Sequence, residues 1–295
     1  MEFIQPGSWT EALAVKADVP MAVPLAGGTD FMVELNFGAR RPPAVLDLTR
    51  ISELRQWEIE GGQVRLGAGV TYSQVIADLR DRLPGLALAA RTVGSPQIRN
   101  RGTIGGNLGT ASPAGDAHPP LLAAAAEVEV ASARGTRRVP IDQFFVGPKR
   151  NVLEADELVA AVRIPLPSGP EQFSKIGTRN AMVIAVAAFS LALHPDQGEV
   201  GTGIGSAGPT PRRAWQAEKF LADALAEAGL WESRAQVPEA VAAEFGRLVA
   251  AAADPIDDVR GTAAYRRHCL SVMARRTLAW AWRDYQRAQP ATRGA

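Results

Sequence analysis

The chain has 295 residues, of which 46% are hydrophobic and 21% charged, a balance that excludes a disordered protein and predicts two or three folded units. Lysine and arginine number 32 against 31 acidic residues, and the net charge of +1 gives no broad footprint for nucleic acid or anionic lipid. The single cysteine, Cys269, excludes an internal disulfide and cannot hold an iron–sulfur cluster, which needs several thiolates. The histidines show no metal-ligand spacing, so we expect no metal site in this chain.

The first part of the chain predicts short helices and strands around a glycine turn. Ser8 and Glu11 form a capping box, and a helix should run from there to about Lys16. The apolar segment AVPL at 22–25 predicts a strand that ends in AGGTD, and FMVELNFG after it predicts a helix of two turns. A further strand is predicted for AVLDL at 44–48.

The middle of the chain predicts two β-hairpins. Apolar and polar residues alternate on both sides of the Gly-Gly pair at 61–62, and EVEVAS and TRRVPI flank a second turn at 134–135. Thr71 and Gln74 form another capping box, which predicts a helix over VIADL. The segment PPLLAAAAE at 119–127 predicts a helix with proline in its first turn.

The composition breaks at the proline-rich segment 165–170, and we therefore place a domain boundary near residue 168. Beyond it FSKIGTR, IAVAAFSLAL and GEVGTGIGSAG predict an antiparallel sheet, followed by three helical segments. Trp280 and Trp282 are predicted at the edge of the core, with contact to another subunit as the alternative. In the same helical segment, residues recur at helical spacing and predict a buried stripe. Its members are Leu270, Met273, Ala274, Thr277, Leu278 and Ala281.

Two segments place consecutive glycines beside a threonine, LAGGTDFM at 25–32 and RGTIGGN at 101–107. Bare backbone N–H groups can approach a ligand closely there, which suits a phosphate. The first segment also opens a helix, whose N-terminal amides favour an anion. Either segment alone fits a simple chain turn equally well, but the two together favour a pyrophosphate held from both sides. Neither fits the phosphate-loop pattern GxxxxGK[ST].

Three further features each allow a structural and a functional interpretation. The segment GIGSAG at 203–208 satisfies G-x-G-x-x-G, but the prolines at 209 and 211 exclude the helix that a Rossmann site requires. Asp116, in SPAGD, fits a turn or helix cap, or an acid that orients a ribityl or ribose hydroxyl. Lys175 fits a solvated lysine, or a cation that meets a ligand ring at a cleft between domains.

In their order and spacing, several motifs resemble the FAD-binding medium subunit of molybdenum hydroxylases, a family that includes carbon monoxide dehydrogenase and bacterial xanthine dehydrogenase. The resemblance covers roughly residues 1–285 and rests on F-x-x-P near the N-terminus, LAGGTD, RNRGTIGGNLGTASPAGD, ELVAAVRIP, KIGTRNAMVIA and GIGSAGPTPRRAWQAEKFL. It implies an α+β fold with an FAD-binding domain of the vanillyl-alcohol-oxidase (PCMH) type over 1–168, in subdomains of about 1–55 and 56–168. A C-terminal domain with a three-stranded antiparallel sheet and helices would follow over 169–290.

The resemblance also implies which residues contact FAD. It assigns no catalytic side chain and no metal ligand, because the bound flavin supplies the redox chemistry. The cofactor-binding residues that it implies are Leu25, Ala26, Gly27, Gly28, Thr29, Asp30, Phe31, Met32, Thr103, Ile104, Gly105, Gly106, Asn107, Asp116, Val159 and Lys175.

The function that the resemblance implies is electron transfer within a complex. Non-covalently bound FAD would take electrons from the [2Fe–2S] clusters of a small subunit and pass them to NAD, oxygen or quinone, while a large subunit carries the molybdenum cofactor. A dimer of such heterotrimers in the cytoplasm is expected, with no nucleic acid and no membrane span. The segment RNAMVIA resembles xanthine-dehydrogenase-like subunits more than others. A self-contained FAD oxidase and a non-catalytic scaffold of the same fold are the alternatives.

Overall fold

The computed structural model describes residues 1–38 and 41–288. The chain begins with a parallel sheet in the order β1-β3-β2, formed by β1 (Glu2–Ile4), β2 (Val23–Leu25) and β3 (Ala44–Asp47). Helices α1 (Trp9–Asp18) and α2 (Phe31–Asn36) connect these strands. The hydroxyl of Ser8 accepts from the N–H of Glu11, as the predicted cap requires, but the Glu11 carboxylate accepts from the N–H of Gly7 instead of Ser8.

The next strands build a mixed-length antiparallel sheet in the order β4-β5-β10-β6-β7, and both predicted hairpins, β4–β5 and β6–β7, are confirmed. β8 and β9 form a separate small hairpin. Strand β10 is the central strand, and it pairs with β5 on one side and with β6 on the other. The strands are β4 (Trp57–Glu60), β5 (Gln63–Gly67), β6 (Glu127–Ser132), β7 (Gly135–Pro140), β8 (Phe145–Gly147), β9 (Arg150–Asn151) and β10 (Leu158–Pro165).

Short helices connect these strands. The capping box of Thr71 and Gln74 is present at the start of α3. The helix predicted to run over 119–127 ends at Ala123, because the chain turns through left-handed backbone at Ala125 (φ 51°) and enters β6 at Glu127. The other helices of this part are not in the sequence prediction. The full set is α3 (Tyr72–Asp78), α4 (Pro84–Thr92), α5 (Pro96–Arg101), α6 (Ile104–Thr110), α7 (His118–Ala123) and α8 (Ile141–Phe144), with a 3-10 turn at Ser52–Arg55.

The C-terminal part is the predicted antiparallel sheet in the order β11-β12-β13, covered by helices. The predicted stripe of the last helix is buried, and so is Trp282, while Trp280 remains 41% exposed. No helix among the described residues is long and apolar enough to span a bilayer. The elements are β11 (Glu171–Gly177), β12 (Ala185–His194), β13 (Glu199–Gly205), α9 (Trp215–Glu227), α10 (Leu230–Ser233), α11 (Glu239–Ala251) and α12 (Ala263–Arg287).

The glycines of β13 let this sheet pack directly on α7. A β-carbon at Gly201 would lie 1.9 Å from the carbonyl oxygen of Ala123, and one at Gly203 would lie 2.0 Å from that of Pro119. The G-x-G-x-x-G match at 203–208 therefore begins at a packing contact, and the next helix starts only at Trp215. This confirms that the motif is not a Rossmann site.

Candidate functional site

The first glycine segment forms a tight turn between β2 and α2. Gly28 adopts left-handed backbone (φ 77°), which favours glycine, and its carbonyl accepts from the N–H of Met32. Gly27 has no room for a side chain, since a β-carbon there would lie 1.9 Å from the carbonyl oxygen of Arg101. The two glycine segments are therefore in direct backbone contact.

The second glycine segment forms the start of helix α6, whereas the sequence taken alone fitted a simple chain turn there. Thr103 caps α6, with its hydroxyl accepting from the N–H of Gly106 at 3.0 Å. The N–H of Gly105 donates to the carbonyl of Ala68 at 2.8 Å, which fixes α6 against the end of β5. Gly109 lies one turn further along, and a β-carbon there would have nothing within 4 Å beyond its chain neighbours and the backbone of its own helix.

Both segments line one cavity of about 740 Å³. That volume lies within the range of ligand pockets, which run from roughly 300 to 1,000 Å³. The structure therefore brings residues from distant parts of the sequence to one site. The predicted residues that line the cavity are Ala26, Gly27, Asp30, Phe31, Thr103, Gly105, Gly106 and Val159.

The other predicted residues are not on the cavity wall. Some belong to the two glycine segments without lining the cavity, namely Leu25, Gly28, Thr29, Met32, Ile104 and Asn107. Asp116 and Lys175 are brought to each other instead, with Lys175 Nζ 2.7 Å from Asp116 Oδ2. Lys175 Nζ also donates to the carbonyl of Thr92 at 3.2 Å.

This ion pair is almost completely buried, with the side chains of Lys175 and Asp116 6% and 11% exposed. Burial raises the pKa of Asp116 to about 6, and the Lys175 ammonium opposes that rise. The pair joins the loop after α6 to strand β11, so it links the two halves of the chain. Their assignment to FAD remains a prediction.

Several cavity residues were not predicted. Lys149 donates to Glu34 at 2.7 Å, and Asn151 Nδ2 donates to the carbonyl of Gly109 at 3.1 Å, so the β8–β9 hairpin contacts both α2 and α6. Arg101 lines the cavity beside the junction of the glycine segments. No local sequence pattern indicates that the hairpin residues are functional. Their position at the cavity depends on contacts with residues more than 40 positions away in the sequence.

Two observations test whether these residues fit FAD. At Gly106 a β-carbon would meet only the hydroxyl of Thr103, at 2.9 Å, and Gly109 is open, so α6 presents bare backbone to the cavity. Asn107 Oδ1 and Asp116 Oδ1 are also buried without a hydrogen-bond partner in the described part of the chain, although neither residue lines the cavity. Buried polar atoms are usually paired, and a bound ligand can pair them. The residues fit a dinucleotide that carries a diphosphate and further polar groups.

The fold and the cavity thus define a dinucleotide-binding class of protein, and comparison with known proteins gives the family. The family model described as "FAD binding domain in molybdopterin dehydrogenase" matches residues 1–167. The model described as "CO dehydrogenase flavoprotein C-terminal domain" matches residues 173–281. The chain belongs to the family of FAD-binding subunits of molybdopterin dehydrogenases.

Individual relatives agree with this assignment. The chain is 37% identical to the nicotinate dehydrogenase FAD-subunit of Eubacterium barkeri over 76% of this chain and 80% of that protein. It is 32% identical to the xanthine dehydrogenase FAD-binding subunit of Escherichia coli O157:H7, over 91% of each. A solved structure of carbon monoxide dehydrogenase from Hydrogenophaga pseudoflava matches with a TM-score of 0.85 and 29% identity, covering 96% of this chain and 98% of that one.

These findings confirm three predictions made from the sequence. The family resemblance is correct, the fold is the predicted α+β fold with a PCMH-type FAD-binding part, and the cofactor is FAD. The chain is an oxidoreductase subunit.

Proposed function

We propose that this chain carries the FAD through which a molybdenum hydroxylase complex passes electrons to NAD, oxygen or quinone. The observation that carries the proposal is that both glycine segments line a single cavity of about 740 Å³. When bound, FAD supplies the redox chemistry. This chain has no proposed nucleophile or general base, and its contribution is to bind and orient the cofactor.

The side chains and backbone of this chain divide that work. The bare backbone of α6 at Gly106 and Gly109, together with the turn at Ala26–Gly27, would let the diphosphate approach the chain closely. The family resemblance also assigns Asn107 and Asp116 to the cofactor, and each has a buried side-chain oxygen without a hydrogen-bond partner in the described part of the chain. The buried Lys175 ammonium, 2.7 Å from Asp116 Oδ2, provides positive charge beside that carboxyl group.

The proposed partners are a large subunit with the molybdenum cofactor and a small subunit with [2Fe–2S] clusters. Relatives carry names such as "Carbon monoxide dehydrogenase medium chain", for the protein of Hydrogenophaga pseudoflava, which supports a complex of several chains. With one cysteine, this chain cannot hold a cluster itself. A dimer of heterotrimers in the cytoplasm, with domains meeting near residue 168, completes the proposal. The segment RNAMVIA favours a xanthine-dehydrogenase-like complex.

The test is to co-express the chain with the products of its adjacent reading frames and to remove FAD from the purified complex. Substrate should still reduce the iron–sulfur clusters of the FAD-free complex, while reduction of the acceptor should be lost and should return when FAD is added. Equal acceptor reduction without FAD would contradict the proposal. Substrate oxidation by the isolated FAD-loaded chain would indicate a self-contained oxidase, and failure to bind FAD would indicate a scaffold.

A further inference from the structure

An ion pair crosses the solvent-exposed edge of the cavity. Lys149 Nζ, from the β8–β9 hairpin, lies 2.7 Å from Glu34 Oε1 on α2, and both residues line the cavity. The side chain of Lys149 is 60% exposed and that of Glu34 is 25% exposed, so the pair is in contact with solvent. We call it the rim pair. It joins the cavity wall that α2 forms to the wall that α6 and the hairpin form.

The backbone of the hairpin is fixed on the end of α6. The N–H of Lys149 donates to the carbonyl of Ala111 at 3.1 Å, and Asn151 Nδ2 donates to the carbonyl of Gly109 at 3.1 Å. Lys149 adopts left-handed backbone (φ 55°), which is unfavourable for a residue other than glycine. Such a conformation persists where surrounding contacts fix it, and it is frequent at ligand-binding sites. A fixed backbone thus carries a long, flexible side chain that reaches α2.

The two walls are joined by side chains at the rim and by backbone at the glycine segments. One turn before Glu34, Asp30 Oδ2 lies 3.2 Å from the hydroxyl of Thr110 on α6, and both of these residues also line the cavity. That hydroxyl also lies 2.9 Å from the carbonyl of Gly106, so its single proton is shared between two acceptors. At Gly27, by contrast, backbone meets backbone with no room for a side chain. The rim contacts can therefore separate by side-chain rotation, whereas the glycine junction cannot.

We propose that the rim pair is a gate for the cofactor, and that the side chains of Lys149 and Glu34 separate when FAD enters or leaves the cavity. The proposal rests on the proposed function, since it requires FAD in this cavity. An exposed ion pair is weak because solvent screens it, so this pair can open without unfolding the chain. A gate that joins two residues of the same chain slows entry and exit by the same factor. It therefore changes the rates of FAD binding and leaves the Kd unchanged.

The test measures the association and dissociation rates of FAD with the full chain freed of FAD, from the change in flavin fluorescence after rapid mixing. We expect Lys149→Met and Glu34→Gln each to raise both rates about two- to fivefold, the scale of one exposed ion pair, with the same Kd as wild type. The double variant K149M/E34Q should be no faster than either single variant, because both changes open the same gate. Added salt should speed dissociation from wild type more than from K149M.

The matched control is Lys219→Met. It breaks an exposed pair of the same kind on α9, in which Lys219 Nζ lies 2.9 Å from Asp223 Oδ2, and neither residue lines the cavity. K219M should bind and release FAD at the wild-type rates.

The outcomes separate a gate from a direct contact between Lys149 and the cofactor. If the ammonium bound the diphosphate, K149M would weaken FAD binding, whereas E34Q would strengthen it by removing a competing carboxylate, and this pattern would overturn the gate. Unchanged rates in K149M and E34Q would also overturn it, as would equal acceleration in K219M. These results would leave the proposed function intact. If the wild-type chain bound no FAD, the proposed function would fail and the gate with it.

Discussion

At the scale of single residues, the buried ion pair of Asp116 and Lys175 makes the free energy of unfolding depend on pH. Because the pKa of Asp116 in the folded chain is about 6, above its ordinary value of 3.8, the folded state holds this proton more tightly than the unfolded state. The contribution of Asp116 to stability therefore falls as the pH rises from about 4 to about 6. Lys175 limits this loss, because its ammonium favours the ionised carboxylate.

Replacing Lys175 with methionine should therefore be more harmful at high pH. Without the ammonium the pKa of Asp116 rises further, and above it the folded chain must hold a buried carboxylate with no counter-ion. We expect K175M to lower the free energy of unfolding by about 3 kcal/mol near pH 8 and by much less near pH 5, where the carboxyl is protonated. Urea unfolding at both pH values measures the difference.

The double variant D116N/K175M is the control, because a neutral amide replaces the titrating carboxyl. The difference between its free energy of unfolding and that of wild type should change little between about pH 5 and pH 8. The corresponding difference for K175M should change much more. Equal losses for K175M at both pH values would show that Asp116 does not titrate in this range.

At the scale of the element, helix α6 carries glycines with opposite surroundings. A β-carbon at Gly105 would lie 2.5 Å from the β-carbon of Ala68, whereas the same position at Gly109 is open. Gly105→Ala should therefore lower the free energy of unfolding by about 2 kcal/mol through overpacking. Gly109→Ala should raise it by about 0.5 to 1 kcal/mol, since alanine is the better helix former.

The same two variants test what the open side of α6 is for. Gly109 lines the cavity, so its added methyl group would occupy cofactor space, and FAD titration should show weaker binding despite the greater stability. G109A with unchanged FAD affinity would show that this end of the cavity does not contact the cofactor. Stability is measured by urea unfolding of the FAD-free chain.

Local signals were enough to predict much of the fold, but not α6. Turn glycines and capping residues determine the two hairpins and α3, which the sequence predicted. Helix α6 has glycine at three of its seven positions, a composition with low helix propensity. It forms because long-range backbone bonds, such as that from Gly105 to Ala68, hold its first turn. Such bonds leave no trace in the local pattern.

At the scale of the whole molecule, the sequence predicted the part of the cavity wall that the glycine segments form. It did not predict the part that the β8–β9 hairpin forms. The sequence indicated Ala26–Gly27 and Gly105–Gly106 because consecutive glycines beside a threonine suit the close approach of a phosphate. Lys149 and Asn151 complete the wall through contacts with α2 and α6, which only the folded chain brings together. Asp116 and Lys175, predicted as cofactor contacts, meet each other across the two halves of the chain.

A second buried carboxyl, Glu171, also joins the two halves. It begins β11, and its Oε2 accepts from the N–H of Gly85, in the first turn of α4, at 2.9 Å. Burial raises the pKa of Glu171 to about 7, against the smaller opposing effect of the Gly85 bond. The folded state therefore retains the proton that the unfolded state loses near pH 4.5, and this contribution to stability falls as the pH rises to about 7.

Glu171→Gln should remove that dependence while keeping an oxygen that can accept from Gly85. We expect the free energy of unfolding of E171Q to exceed that of wild type by about 1 to 2 kcal/mol above pH 8 and to differ little near pH 5. Glu171→Ala leaves the N–H of Gly85 without its acceptor, so it should be less stable than wild type at low pH. If E171Q changed stability equally at both pH values, the contact between β11 and α4 would not depend on an ionisable Glu171.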